Sequence, residues 1–165
     1  MKKIIWALLI TTLSILLTFP GKLLASTLDE GFRGVKWETT ISEMTTKGFE
    51  PTRAMFGKSC VKNPKDNLSL GSNPLNSIIY CGRISGKFKT VEITAESVQF
   101  DGLKEFLTKS LGKEGNNFSN KYGKKFIWRT EKATIMIWRG LYDYEGSNIE
   151  IKYTPPKAPQ SGGGL

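Results

Sequence analysis

The 165-residue chain sets 24 lysines and arginines against 15 acids, has no histidine, and carries a formal charge of +9. Without histidine the commonest general base, the usual activator of a nucleophile and the usual zinc ligand are all missing, so acid-base catalysis would have to run on carboxylates. No phosphate-binding glycine loop, paired metal motif or nucleophile elbow occurs in the sequence.

The opening MKKIIWALLITTLSILLTFPGKLLAS places Lys2 and Lys3 before an uncharged apolar run from Ile4 to Leu17, a break at Pro20 and Gly21, and small residues at Ala25 and Ser26. This pattern predicts a secretory signal peptide over residues 1–25, cut after Ala25, and hence a periplasmic or secreted protein. The run is short of the ~20 residues that span a bilayer, which leaves an uncleaved leader as the weaker alternative and the only route to the membrane. No cysteine stands near the cut to accept a lipid. Cleavage removes three lysines and no acid, lowering the formal charge to about +6. Residues 26–153 suffice for one domain with its own core. Residues 154–165 combine three prolines with three glycines and read as a disordered tail.

Within that domain, Thr40 and Glu43 form a capping-box pattern that predicts a short helix ending near Gly48, with Ile41 and Met44 on one face. Cys60 and Cys81 are the chain's two cysteines. In an oxidising compartment they predict a structural disulfide, contributing on the order of 3 kcal/mol. A redox or metal site fits poorly, because the spacing is not Cys-x-x-Cys and no histidine is available.

Residues 76–97 read as a hairpin. A two-residue turn at Ser85 and Gly86 sets Tyr80 opposite Val91 and Ile78 opposite Ile93. One face then collects Ile78, Tyr80, Ile84, Val91, Ile93 and Ala95, and the other Cys81, Thr90, Glu92, Thr94 and Glu96. Cys81 points away from the core, so the disulfide would pin an irregular segment, residues 60–73, across the back of the hairpin.

A second helix follows, with Asp101 as its expected N-cap, Leu103, Phe106, Leu107 and Leu111 on one stripe, and Gly112 at its end. Strands are expected over about 125–130, 133–139 and 147–153, the last alternating Ile149, Ile151 and Tyr153 with Asn148, Glu150 and Lys152. A helix followed by extended segments thus occurs twice. The fold class is α+β, two short helices each followed by an antiparallel β-meander, with a duplicated unit suggested by pattern alone.

The stretch GFRGVKWETTISEM, residues 31–44, resembles the start of a loose group of small, largely uncharacterised exported bacterial proteins, marked by Phe-Arg-Gly-x-x-Trp and a Thr/Ser-initiated turn into a short helix. YGKKFIWRTEKATIMIWRG and SNIEIKY are similar to that group's closing strands, and together the matches cover about half of the mature chain. The resemblance implies an exported α+β protein and brings no catalytic or binding residue with it. Members often carry glycine after the tryptophan, where this chain has Glu38.

Carboxylate pairs are scarce on geometric grounds. Glu92 and Glu96 on one strand would stand ~13 Å apart, beyond the about 5–9.5 Å of glycosidase pairs. Asp143 and Glu145 fall in a loop where nothing would raise a pKa.

Ile-Trp-Arg occurs twice, at Ile127-Trp128-Arg129 and Ile137-Trp138-Arg139. A two-residue turn at Glu131 and Lys132 puts Trp128 opposite Ile135 and on the face opposite Trp138. A three-residue turn puts Trp128 opposite Met136 and on the same face as Trp138. Core packing with arginine at the rim is one reading of these tryptophans; an exposed Trp-Arg interface is the other. The candidate surface comprises Lys121, Lys124, Lys125, Trp128, Arg129, Trp138, Arg139, Tyr142 and Tyr144. The functional expectation is a non-enzymatic binding module, without cofactor or metal, engaging a protein or an anionic envelope component. Export disfavours nucleic acid as the partner. A hydrolase with a carboxylate pair assembled from distant loops, and an inhibitor of an exported enzyme, are the alternatives.

Overall fold

The computed structural model describes residues 27–52, 57–83, 86–142 and 145–155. The leader, Ile84, Ser85, Asp143, Tyr144 and the tail from residue 156 lie outside the described residues, and so do the expectations placed on them.

The Phe-Arg-Gly-x-x-Trp motif is a packing device. Strands β1 (Gly31–Phe32) and β2 (Val35–Lys36) pair as a hairpin whose turn residues, Arg33 at φ 49° and Gly34 at φ 79°, both take the left-handed conformation of a type I′ turn. The Arg33 guanidinium donates to the carbonyls of Asn67 and Ser69 and lies 4.0 Å from Asp66. Asp66 accepts the hydroxyl proton of buried Tyr80 at 2.7 Å. Burial, and then that hydrogen bond, push the Tyr80 phenol well above its ordinary pKa. Trp37 stacks on Phe88 and Tyr153 at 4.7 and 5.7 Å, and its indole N–H donates to the Leu28 carbonyl at 2.7 Å.

Helix α1 (Ile41–Thr46) starts as the capping box requires: the Thr40 hydroxyl accepts from the Glu43 N–H at 3.1 Å, and the Glu43 carboxylate accepts from the Thr40 N–H at 2.9 Å. After it come β3 (Glu50–Thr52), β4 (Ser59–Lys62), the small hairpin β5 (Ser69–Leu70) and β6 (Asn73–Pro74), β7 (Ser77–Gly82) and β8 (Phe88–Ala95). Strands β7 and β8 hold the expected register, Ile78 opposite Ile93 and Tyr80 opposite Val91, until an irregularity after Cys81 brings Gly82 opposite Phe88. Two expectations change here. The segment expected to be irregular contains β4 and the β5–β6 hairpin, and the Cys60–Cys81 disulfide joins directly opposed residues of the paired strands β4 and β7 rather than crossing the back of the hairpin.

A 3-10 turn, Ser97–Gln99, leads into helix α2 (Phe100–Leu111). Asp101 lies inside its first turn, and the N-cap is Gln99 without a side-chain cap bond. Phe100, fully buried, anchors the helix start and so displaces the cap expected at Asp101. Leu103, Leu107 and Leu111 are buried along the helix, which ends at Gly112 with φ 65°. Phe106, half-buried, packs against Gly71 of the turn between β5 and β6, where a Cβ would come within 2.8 Å of its ring.

Strands β9 (Asn116–Asn117), β10 (Gly123–Arg129), β11 (Ala133–Gly140) and β12 (Ser147–Tyr153) complete one antiparallel eight-stranded sheet in the order β3-β4-β7-β8-β12-β11-β10-β9. The fold is α+β and mostly sheet, with one disulfide. Helix α1 lies against β4 and α2 against β11, on the face where Tyr80, Val91, Ile93, Ile135, Ile137, Ile149 and Ile151 are buried. Asn148, Glu150 and Lys152 alternate with this set on β12, as its sequence predicts. Thr154 extends the ordered chain beyond the expected tail boundary, its N–H bonded to the Lys132 carbonyl at 2.8 Å. No helix among the described residues is long and apolar enough to cross a membrane.

Candidate interaction surface

The register of β10 and β11 decides between the two readings of Ile-Trp-Arg. The Thr130 N–H donates to the Ala133 carbonyl at 2.9 Å, which closes a two-residue turn. Asp29 clamps that turn from the N-terminal side, accepting from the Lys132 N–H at 2.7 Å and the Thr130 hydroxyl at 2.6 Å. Trp128 therefore faces Ile135, and Trp138 pairs with Lys125 on the opposite face of the sheet.

Trp128 is 1% exposed, donates its indole N–H to the Lys113 carbonyl at 3.1 Å, and rests over Gly115. Core packing takes it off the candidate surface. Arg139 and Lys124 face the helix side. The Arg139 guanidinium sits 5.4 Å above the Phe100 ring and donates to the Ser97 carbonyl at 3.4 Å, while Lys124 lies 3.8 Å from Asp101. Both pin the start of α2 to the sheet. Arg129 is exposed on the open face, but four residues of strand put it ~13 Å from Lys125. Tyr144 lies outside the described residues.

What remains gathers at the end of the hairpin remote from its turn. Six large apolar side chains among the described residues are exposed, and four of them are here: Phe118 (52%), Tyr122 (68%), Leu141 (59%) and Tyr142 (57%). Trp138 and Met136, both half-buried, continue the patch along the open face. At its centre the cross-strand pair is Gly123 and Gly140. Beside this pair lies a hollow of about 260 Å³, walled by Phe118, Tyr122, Lys125, Met136 and Trp138.

The segment carrying Phe118 and Tyr122 is held by short-range bonds. Asn117 and Asn120 side chains accept from the N–H groups of Ser119 and Tyr122, each at 2.8 Å. The Phe118 N–H donates to the Lys125 carbonyl at 2.8 Å, and the Ser119 hydroxyl accepts from the Lys125 N–H at 3.0 Å. The edge of β10 is thereby occupied, and the aromatic groups are presented without further ordering.

Phe118, Leu141 and Met136 were not singled out by sequence, since exposure of an apolar residue in a loop leaves no periodic signal. Pairing of β8 with β12 also sets Glu92 opposite Glu150, an acidic pair that strand-local spacing could not reveal. Glu92 is engaged by Lys58 at 2.6 Å. Among the described residues no cluster of cysteine and carboxylate groups could hold a metal ion. No protein-family model matches the chain, no curated protein matches it in sequence, and no solved structure matches it.

Proposed function

We propose that this is an exported, non-enzymatic binding module that engages a protein partner through the corner formed by Phe118, Tyr122, Trp138, Leu141 and Tyr142. The observation that carries the reading is that four of the six exposed large apolar side chains among the described residues lie at one end of the β10–β11 hairpin, Phe118 and Tyr122 of them on the wall of the hollow. Contiguous apolar surface of this kind is costly in water unless a partner covers it, and aromatic residues dominate the energetics of interfaces. Export is supported by the disulfide, which persists in oxidising compartments.

The sheet order supports a duplicated unit. Helix α1 precedes β3, β4, β7 and β8 of the large sheet, α2 precedes β9 to β12, and the two sets meet along β8 and β12.

A photo-crosslinking side chain placed at Tyr122 in the full chain, expressed in its own cell envelope, is expected to trap a defined protein. The same probe at Val98, also exposed but beside α2, serves as the control. Equal trapping from both positions, or none at Tyr122, rejects this surface.

A further inference from the structure

We infer that the partner presents an acidic segment carrying one large apolar side chain, and that this side chain enters the hollow over Gly123 and Gly140. The inference rests on the proposed binding role and adds the chemistry of what is bound. The hollow is small, about 260 Å³; Gly123 and Gly140 stand in its lining, and the Glu145 carboxylate occupies the place that a Gly140 side chain would take. A single bulky side chain fills such a space, whereas a flat polymer would leave it empty. Its rim is cationic. Lys121 and Lys125 make no ion pair with a carboxylate among the described residues. The Lys121 ammonium lies 5.0 Å over the Tyr122 ring, so charge and aromatic surface are presented side by side. An acid flanking the inserted side chain meets these lysines. An anionic polysaccharide would satisfy the lysines but not the apolar wall of Phe118, Tyr122, Met136 and Trp138.

The test is selection of displayed random peptides against the oxidised mature chain, with Trp138→Ala protein used to remove sequences that bind elsewhere. Enriched peptides are expected to share an aromatic or leucine residue flanked by aspartate or glutamate. Their binding, read by calorimetry, should weaken about tenfold with Lys125→Glu. Glu145→Gln, which removes an acid resting against Gly140, should tighten binding severalfold. Enriched peptides without acidic excess, indifference to Lys125→Glu, or equal competition by dextran sulfate would each overturn the inference. If the Tyr122 probe traps a protein whose contacting segment is neither acidic nor apolar, this inference fails and the binding role stands. If that probe traps nothing, both fail.

Discussion

Trp128 and Trp138 share the same neighbours in sequence and have opposite fates, because a two-residue turn between strands ten positions apart inverts the face of every residue in the repeat. The sequence left both registers open; Asp29, distant in the chain, closes the turn that selects one. Trp128→Ala is expected to cost about 3–5 kcal/mol, from the lost packing and the orphaned Lys113 carbonyl. Trp138→Ala should cost about 1 kcal/mol or less while removing partner capture. Urea unfolding separates the two variants. Glu38 is a second case. A left-handed non-glycine residue costs ~1–2 kcal/mol, and its exposed ion pair with Lys89 at 3.3 Å returns little. Glu38→Gly should therefore stabilise the protein, by up to about 1 kcal/mol after the entropy of glycine is counted, visible as a higher unfolding midpoint.

Elements whose signals are local were legible. Thr40 and Glu43 announce α1, and the alternation around Tyr80 and Val91 announces β7 and β8, because cap and hairpin are settled within a few residues. The start of α2 was misread at Asp101, since a good capping residue was outweighed by the burial of Phe100 next to it. The α1 cap also titrates. Hydrogen bonds from the Thr40 N–H, then the Thr40 hydroxyl, hold the Glu43 carboxyl below its ordinary pKa. A group depressed in the folded state stabilises above its unfolded pKa, and that contribution is lost as pH falls through the lower folded value. Protection of the Thr40 amide from hydrogen exchange should thus decline below about pH 4. In Glu43→Gln it should stay level across the same range, since the amide oxygen still accepts and does not titrate.

At the scale of the molecule, the α+β class was legible, but not the joints that depend on residues far apart. Nothing near Ser59 predicts that β4 pairs with β7, and nothing near Ser147 predicts that β12 lies beside β8. The disulfide was legible from the two cysteines and the leader-like start of the sequence, its placement between paired neighbours was not. Replacing both Cys60 and Cys81 by serine should lower stability by about 3 kcal/mol, read as a shift in the guanidinium midpoint at unchanged slope. The interaction corner was half legible: Trp138, Lys125, Lys121 and Tyr142 came from composition, while the glycine pair beside its hollow became visible only through cross-strand register.

Strand β12 leaves the ribosome after the other described strands yet lies in the middle of the sheet, between β8 and β11. A chain still lacking it holds two half-sheets with bare inner margins and no means of joining them. Closure of the sheet is thereby deferred until β12 has been made, so the two halves can be joined only after both have been laid down.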